Sequence, residues 1–203
     1  MKAVVICSGG MDSVTLLYKV ISNGFEVSVL SFDYGQRHKI ELTCAKDICD
    51  LLGLTHKVVH LDINNLVQGS ALTSPDIEVP EGHYEEKNMK LTVVPNRNMI
   101  MLAIATGYAV SIGAKDVFFG AHAGDHAIYP DCRKEFVDAL NQSTKIANYT
   151  PVTVRAPFIE MNKGDITKLG LDLGVPFART QTCYKGKRKA CGKCGSCQER
   201  LEA

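Results

Sequence analysis

The chain has 203 residues, 45% of them hydrophobic and 22% charged, enough for one good core or a core plus a small appendage. With 23 basic against 22 acidic side chains the formal net charge is +1, which disfavours a partner such as tRNA or DNA, whose binders carry a clear basic excess. No apolar stretch approaches the roughly 20 residues of a membrane span. An opening with one lysine and a short apolar run is no export signal, so the eight cysteines are expected in a reducing cytosol, where clustered cysteines more often bind metal than pair.

In chain order, residues 3–7 read as an apolar strand, broken by Ser8-Gly9-Gly10-Met11-Asp12-Ser13 and followed at once by an amphipathic helix over 12–22 that stops near Gly24. Two glycines let a backbone pass close to an oxyanion and aim N–H groups at it, and the new helix adds partial positive charge at its start. Ser8 and Ser13 offer hydroxyl donors, and Asp12 beside a phosphate makes sense with a metal ion between them. The loop therefore reads as a site for magnesium pyrophosphate. It lacks the Gly-Lys-Ser/Thr of a Walker A loop and the three spaced glycines of a dinucleotide loop.

A second strand over 26–32 leads into Asp33-Tyr34-Gly35-Gln36-Arg37-His38, where Tyr34 or His38 could stack on a heterocycle and Gln36 could read a base-like edge; a plain helix-capping loop explains the same residues. A helix over 39–52 closes at Gly53, and a third strand covers 56–61. The stretch of about 64–92 is long and polar, with Pro75 and Pro80, and reads as a lid, a binding insert or a mere excursion. Val94-Pro95-Asn96-Arg97-Asn98 opens an apolar helix over 97–112; Asn96 can cap it, and Arg97 suits a carboxylate or phosphate, with a surface ion pair as the alternative. A strand over 116–120 precedes the loop 120–133, in which His122, Asp125, His126, Asp131, Cys132 and Arg133 crowd together; Asp125, Asp131 and Arg133 are candidates for holding a polar heterocycle. Helix 133–147, strand 152–156 and helix 163–173 follow, the last opened by Lys163. Apolar strands alternating with helices predict a doubly wound, mainly parallel α/β sheet, with ligands beyond the carboxyl ends of its strands.

The tail carries Cys183-x7-Cys191-x2-Cys194-x2-Cys197. Four thiolates at short spacing, with Gly192 and Gly195 permitting the turns, predict one structural zinc ion with no open position. The flanking lysines and Arg188 would offset its charge; iron–sulfur signatures differ from this spacing. The expected division is a nucleotide-binding domain over 1–176 and a zinc-binding segment over 177–203. Cys44 and Cys49 read as filler, whereas Cys7 and Cys132 border the cleft.

The loop Ser8 to Ser13 resembles the PP-loop of the ATP pyrophosphatase superfamily, whose members grip the outer phosphates and leave the α-phosphorus open to attack. Together with the Asp33 to His38 loop, the Val94 to Asn98 segment, the Gly120 to Arg133 loop and the four-cysteine tail, it resembles the 7-cyano-7-deazaguanine synthase family over essentially the whole chain. The resemblance implies an adenine nucleotide alpha-hydrolase-like fold and a C–N-bond-forming ligase using ATP, Mg2+ and a structural Zn2+ in a cytoplasmic homodimer. The substrates implied are 7-carboxy-7-deazaguanine and free ammonium, there being no room for a glutaminase domain. The carboxylate would form an acyl-adenylate, ammonia would give the amide, and a second ATP would activate the amide oxygen for loss as AMP. Ser8, Gly9, Gly10, Met11, Asp12 and Ser13 would bind ATP; Lys163, Asp12 and Arg97 would serve catalysis; Tyr34, Gln36, Arg37, Arg97, Asp125, Asp131 and Arg133 would contact the base. His38, His122 or Asp125 could act as the base that forms the nitrile. Two other readings are a tRNA-modifying thiolase, which would want a cysteine pair in the cleft, and a zinc-ribbon binding module without turnover.

Overall fold

Among the described residues the apolar runs form five strands, β1 (Lys2–Ile6), β2 (Glu26–Asp33), β3 (Thr55–His60), β4 (Asp116–Phe118) and β5 (Thr153–Arg155), in one parallel sheet of order β3-β2-β1-β4-β5. The computed structural model describes residues 1–63, 66–83 and 87–203. The chain winds outward from β1 to β3, then returns to β4 on the other side of β1. This reversal opens a crevice at the carboxyl ends of β1 and β4, where parallel sheets bind ligands.

Among the described residues six α-helices accompany the sheet: α1 (Met11–Ser22), α2 (Ile40–Leu52), α3 (Arg97–Ser111), α4 (Lys134–Ala147), α5 (Lys163–Asp172) and α6 (Gly195–Glu202), the last packed on α5. Side chains alternate across a strand, and β1 divides accordingly. Ala3 and Val5 join Val14, Leu17, Val20, Ala45, Ile48 and Ile166 from α1, α2 and α5; Val4 joins Leu102, Ala105, Ala109, Val137 and Leu140 from α3 and α4. Full burial of a side chain such as Leu16 or Leu17 contributes about 1.5–3 kcal/mol. Gly53 ends α2 in the left-handed conformation, φ 64°, which frees the chain to turn into β3.

The predicted elements match the observed ones closely, with β4 and β5 shorter than the expected 116–120 and 152–156. Helix α6 is new: the sequence reading predicts no element over 195–202. A further correction concerns the start of α3. Asn96 stands before it in a left-handed conformation, φ 59°, and its side chain makes no cap. The cap comes from Asp131, whose Oδ2 accepts the Asn98 N–H at 3.0 Å.

Positions 64, 65 and 84–86 of the expected insert lie outside the described residues. Its described part is anchored at several points: Ala71 N–H bonds Leu91 O at 2.7 Å, Gly82 N–H bonds Lys193 O at 3.0 Å, and Ala71 and Val79 pack in one apolar cluster with Cys183, Cys194 and Cys197. Insert and tail are thereby joined beside the crevice. No helix among the described residues is long and apolar enough to cross a membrane.

Candidate active site

The glycine loop leaves β1 at Ile6 and bends sharply. Gly9 has φ 90°, and a Cβ there would fall 2.1 Å from Glu41 O, so only glycine lets α2 back the loop so closely. The two serines hold the bend. Ser13 Oγ accepts the Ser8 N–H at 3.1 Å and donates to Gly10 O at 3.0 Å, while Ser8 Oγ accepts the Gly10 N–H at 3.2 Å. The tail clamps the loop from outside through Gln181 N–H on Gly9 O, 3.0 Å. Among the described residues no side chain caps α1, which leaves its first N–H groups and their partial positive charge for an anion.

Lys163 faces this helix start. Asn162 and Asp165 form a reciprocal capping box that fixes the first turn of α5 and so the root of the lysine. Its Nζ lies 2.6 Å from Asp12 Oδ2, 3.0 Å from Glu199 Oε2 and 3.2 Å from His122 Nε2. Burial works against the ammonium, but Asp12 and Glu199 outweigh it and hold the lysine above its usual range. His122 is buried and fixed in turn: its Nδ1 accepts the Gly124 N–H at 3.1 Å, and Asp125 Oδ2 accepts its backbone N–H at 3.2 Å. Asp12 Oδ1 is buried with no hydrogen-bond partner among the described residues. A carboxylate oxygen left open beside a phosphate-binding helix start fits a divalent cation.

From here an open cleft runs to a more apolar end lined by Phe32, Tyr34, His38, Glu41, Arg97, Met101, Tyr129 and Tyr184. The Arg97 guanidinium carbon lies 6.0 Å from the centre of the Tyr34 ring. Burial pushes the Tyr34 phenol up to about 12 and the Glu41 carboxyl up to about 8. Burial, aided by the Arg97 charge, lowers His38 to about 3 and keeps it neutral.

The sulfur atoms of Cys183, Cys191, Cys194 and Cys197 all lie within 4.8 Å of one another. Tetrahedral zinc–thiolate bonds of about 2.3 Å put sulfurs roughly 3.8 Å apart, and Cys191 and Cys197 are 3.9 Å apart. Backbone N–H groups of Lys193 and Cys194 point at Cys191 Sγ, at 3.4 and 3.3 Å, and the Cys191 N–H points at Cys183 Sγ, 3.4 Å. Donors converging on sulfur suit thiolates, so the quartet fits a structural metal ion.

A family model described as "Queuosine biosynthesis protein QueC" matches residues 2–203. The chain belongs to the QueC family. A 7-cyano-7-deazaguanine synthase from Alteromonas mediterranea is 61% identical over 201 residues, covering 98% of this chain and 92% of the relative. Another from Hahella chejuensis is 59% identical over 203 residues, covering all of this chain and 87% of the relative. The NMN synthetase of Francisella tularensis shares the fold, with a TM-score of 0.58 at 14% identity over 94% of this chain and 70% of that one.

Within this QueC chain the expected site residues separate into two groups. Ser8, Gly10, Met11, Asp12, Ser13, Lys163, Tyr34, Arg97, Asp125, His38 and His122 line one cleft, with Gly9 shaping the loop beneath. Gln36, Arg37, Asp131 and Arg133 are not among its lining residues. Gln36 is a buried strut, accepting the Tyr34 N–H at 2.9 Å and donating to Phe32 O at 2.9 Å. Arg37 holds the insert through Ser74 O, 2.7 Å, Asp131 caps α3, and Arg133 Nε bonds His126 O at 2.8 Å. Cys7 and Cys132 do border the cleft, but burial pushes the Cys7 thiol up to about 11 and Cys132 well above its usual range. Neither is a ready thiolate. The sequence reading missed Glu199 and Glu41. The signal for Glu199 was its position two residues past Cys197, inside the anchored tail; Glu41 carried only its distance of three residues from His38.

Proposed function

We propose that this QueC-family chain converts 7-carboxy-7-deazaguanine and ammonia to 7-cyano-7-deazaguanine, consuming ATP and releasing AMP and pyrophosphate. The observation that carries the reading is the uncapped start of α1 behind the Gly9 turn, faced by Lys163 at the mouth of a cleft that continues past the phosphate site. A leaving pyrophosphate bound there would keep the α-phosphorus turned toward the cleft. The identity to relatives named 7-cyano-7-deazaguanine synthase supports the substrate.

A carboxylate is a poor electrophile, so its oxygen attacks the α-phosphorus and pyrophosphate departs. Ammonia then displaces AMP to give the amide. The amide oxygen attacks a second ATP, and its loss as AMP with two N–H protons leaves the nitrile. N–H groups of Met11, Asp12 and Ser13 hold the departing pyrophosphate, and Lys163 stabilises the charge that builds there. Mg2+, held by Asp12 Oδ1, would neutralise phosphate charge. Arg97 orients the substrate carboxylate or ring from the side of the cleft it lines. Zinc on the four cysteines would fix the tail, and with it Glu199 against Lys163. We read the enzyme as a cytoplasmic homodimer acting on small molecules rather than on nucleic acid.

The test is pyrophosphate release by zinc-loaded protein with ATP, ammonium and 7-carboxy-7-deazaguanine, with mass spectrometry of the base. A nitrile that requires both ATP and ammonium is expected. Pyrophosphate formed only with tRNA would make the chain a modifying enzyme, and no turnover with either would leave a binding module.

A further inference from the structure

The apolar end of the cleft contains a pair of buried acceptors that the steps above do not use. Glu41 opens the first turn of α2 behind Gly9, and its side chain is 12% exposed. Its Oε1 accepts from Gln36 Nε2 at 3.3 Å and lies 3.4 Å from His38 Nε2, which leaves Oε2 for the cleft. With Glu41 ionised and His38 neutral, the Nε2 that faces Glu41 Oε1 carries the ring proton and Nδ1 is the acceptor. That Nδ1 is buried in a side chain only 8% exposed, and it has no hydrogen-bond partner among the described residues. An unpaired buried acceptor costs stability, and both residues line the cleft. The surrounding groups include Tyr34, Tyr184, Arg97 and Cys7, none of which offers a carboxylate.

We propose that Glu41 Oε2 and His38 Nδ1 recognise the 2-amino-6-oxo edge of a guanine-like ring, accepting from its N1–H and its exocyclic 2-amino group. The proposal rests on the substrate reading above and gives it a specificity determinant. An adenine ring has no 2-amino group, and its N1 is an acceptor that would oppose the two acceptors of the protein. The same pair therefore keeps the base of ATP out of the substrate end. Gln36 acts as a positioning residue: it pins Glu41 Oε1 and, through Phe32 O and Tyr34 N–H, ties the carboxyl to the end of β2. Arg97, which lines the same cleft, is a donor for the ring oxygen.

The experiment is calorimetric binding of 7-carboxy-7-deazaguanine, of its analogue lacking the 2-amino group, and of ATP, to wild type, Glu41→Gln and His38→Phe. Binding is measured at pH 9, above the Glu41 value of about 8, where its carboxyl is ionised; loss of a hydrogen bond to a charged acceptor weakens binding roughly 10–100-fold. The expected result is that both variants lose about that factor for the substrate while retaining wild-type affinity for ATP. Wild type alone should discriminate against the analogue by a similar factor, and Glu41→Gln should discriminate much less. Equal binding of substrate and analogue by wild type overturns the proposal, and needs no variant to fold. Unchanged substrate affinity in a variant that binds ATP overturns it too, as does loss of ATP affinity alone, which would put adenine against Glu41. Wild type that binds ATP but neither base contradicts the substrate reading itself.

Discussion

Replacing Lys163 by alanine removes the cation shared by Asp12 and Glu199. The lysine side chain is 9% exposed, with Asp12 Oδ2 at 2.6 Å and Glu199 Oε2 at 3.0 Å from its Nζ. Breaking a buried ion pair from one side costs about 3–5 kcal/mol, because the remaining charge is left uncompensated. Asp12 is 24% exposed, so water recovers part of that and the lower end, about 3 kcal/mol, applies. For a domain of this size each kcal/mol moves Tm by about 2–4 °C, so the variant should melt roughly 6–12 °C lower. The folded-state lysine titrates above its usual 10.5. Its contribution is therefore complete below that pH and is lost only as pH climbs beyond it. The Tm gap should be the same at pH 7 and pH 9. Turnover should fall about 10²–10³-fold in kcat, the usual cost of removing one group that stabilises transition-state charge. Thermal scans at both pH values and steady-state pyrophosphate release measure the two effects. A variant that melts lower but turns over normally would reduce Lys163 to a strut, and one that melts and turns over like wild type would refute the electrostatic account entirely.

Glu41 gives a pH signature of the opposite kind. Burial raises its folded-state carboxyl from 4.5 to about 8, so the folded chain holds a proton that the unfolded chain has lost. Stability then falls as pH rises from about 4.5 to 8, by at most roughly 5 kcal/mol, and Glu41→Gln should be more stable relative to wild type at pH 9 than at pH 5 in denaturant titrations. Chelating the metal, or changing Cys191 to serine, should abolish hydrogen-exchange protection over 183–202 and slow pyrophosphate release, with zinc restoring both in the wild-type chain only. Asp131→Ala should cost about 1 kcal/mol through the lost cap on α3 and leave the substrate KM unchanged; a tenfold rise in KM would return Asp131 to the substrate site.

Much of this architecture was legible because local and global signals agree. Val4 and Val5 point to opposite faces, and each finds helices waiting there; Gly24 and Gly53 end helices where the apolar period stops. The phosphate loop was legible because a strand, two glycines and a helix start are contiguous. What was hidden is built from distant pieces. Glu199 meets Lys163 only because the cysteine quartet folds the tail back across α5. Glu41 sits on an amphipathic helix like any surface acid, and only the close approach of α2 to Gly9 buries it. Conversely, Asp131, Arg133 and Arg37 bond backbone groups, as polar side chains of irregular segments commonly do, so their presence in a polar loop is not by itself a sign of ligand contact.

The central claim is that the substrate carboxylate itself attacks the α-phosphorus. It is tested most directly by supplying 7-carboxy-7-deazaguanine labelled with 18O in both carboxyl oxygens, with ATP and ammonium, and weighing the AMP. The account predicts two AMP per nitrile, each carrying one labelled oxygen, and unlabelled pyrophosphate. Unlabelled AMP, or ADP and labelled phosphate in its place, would contradict it.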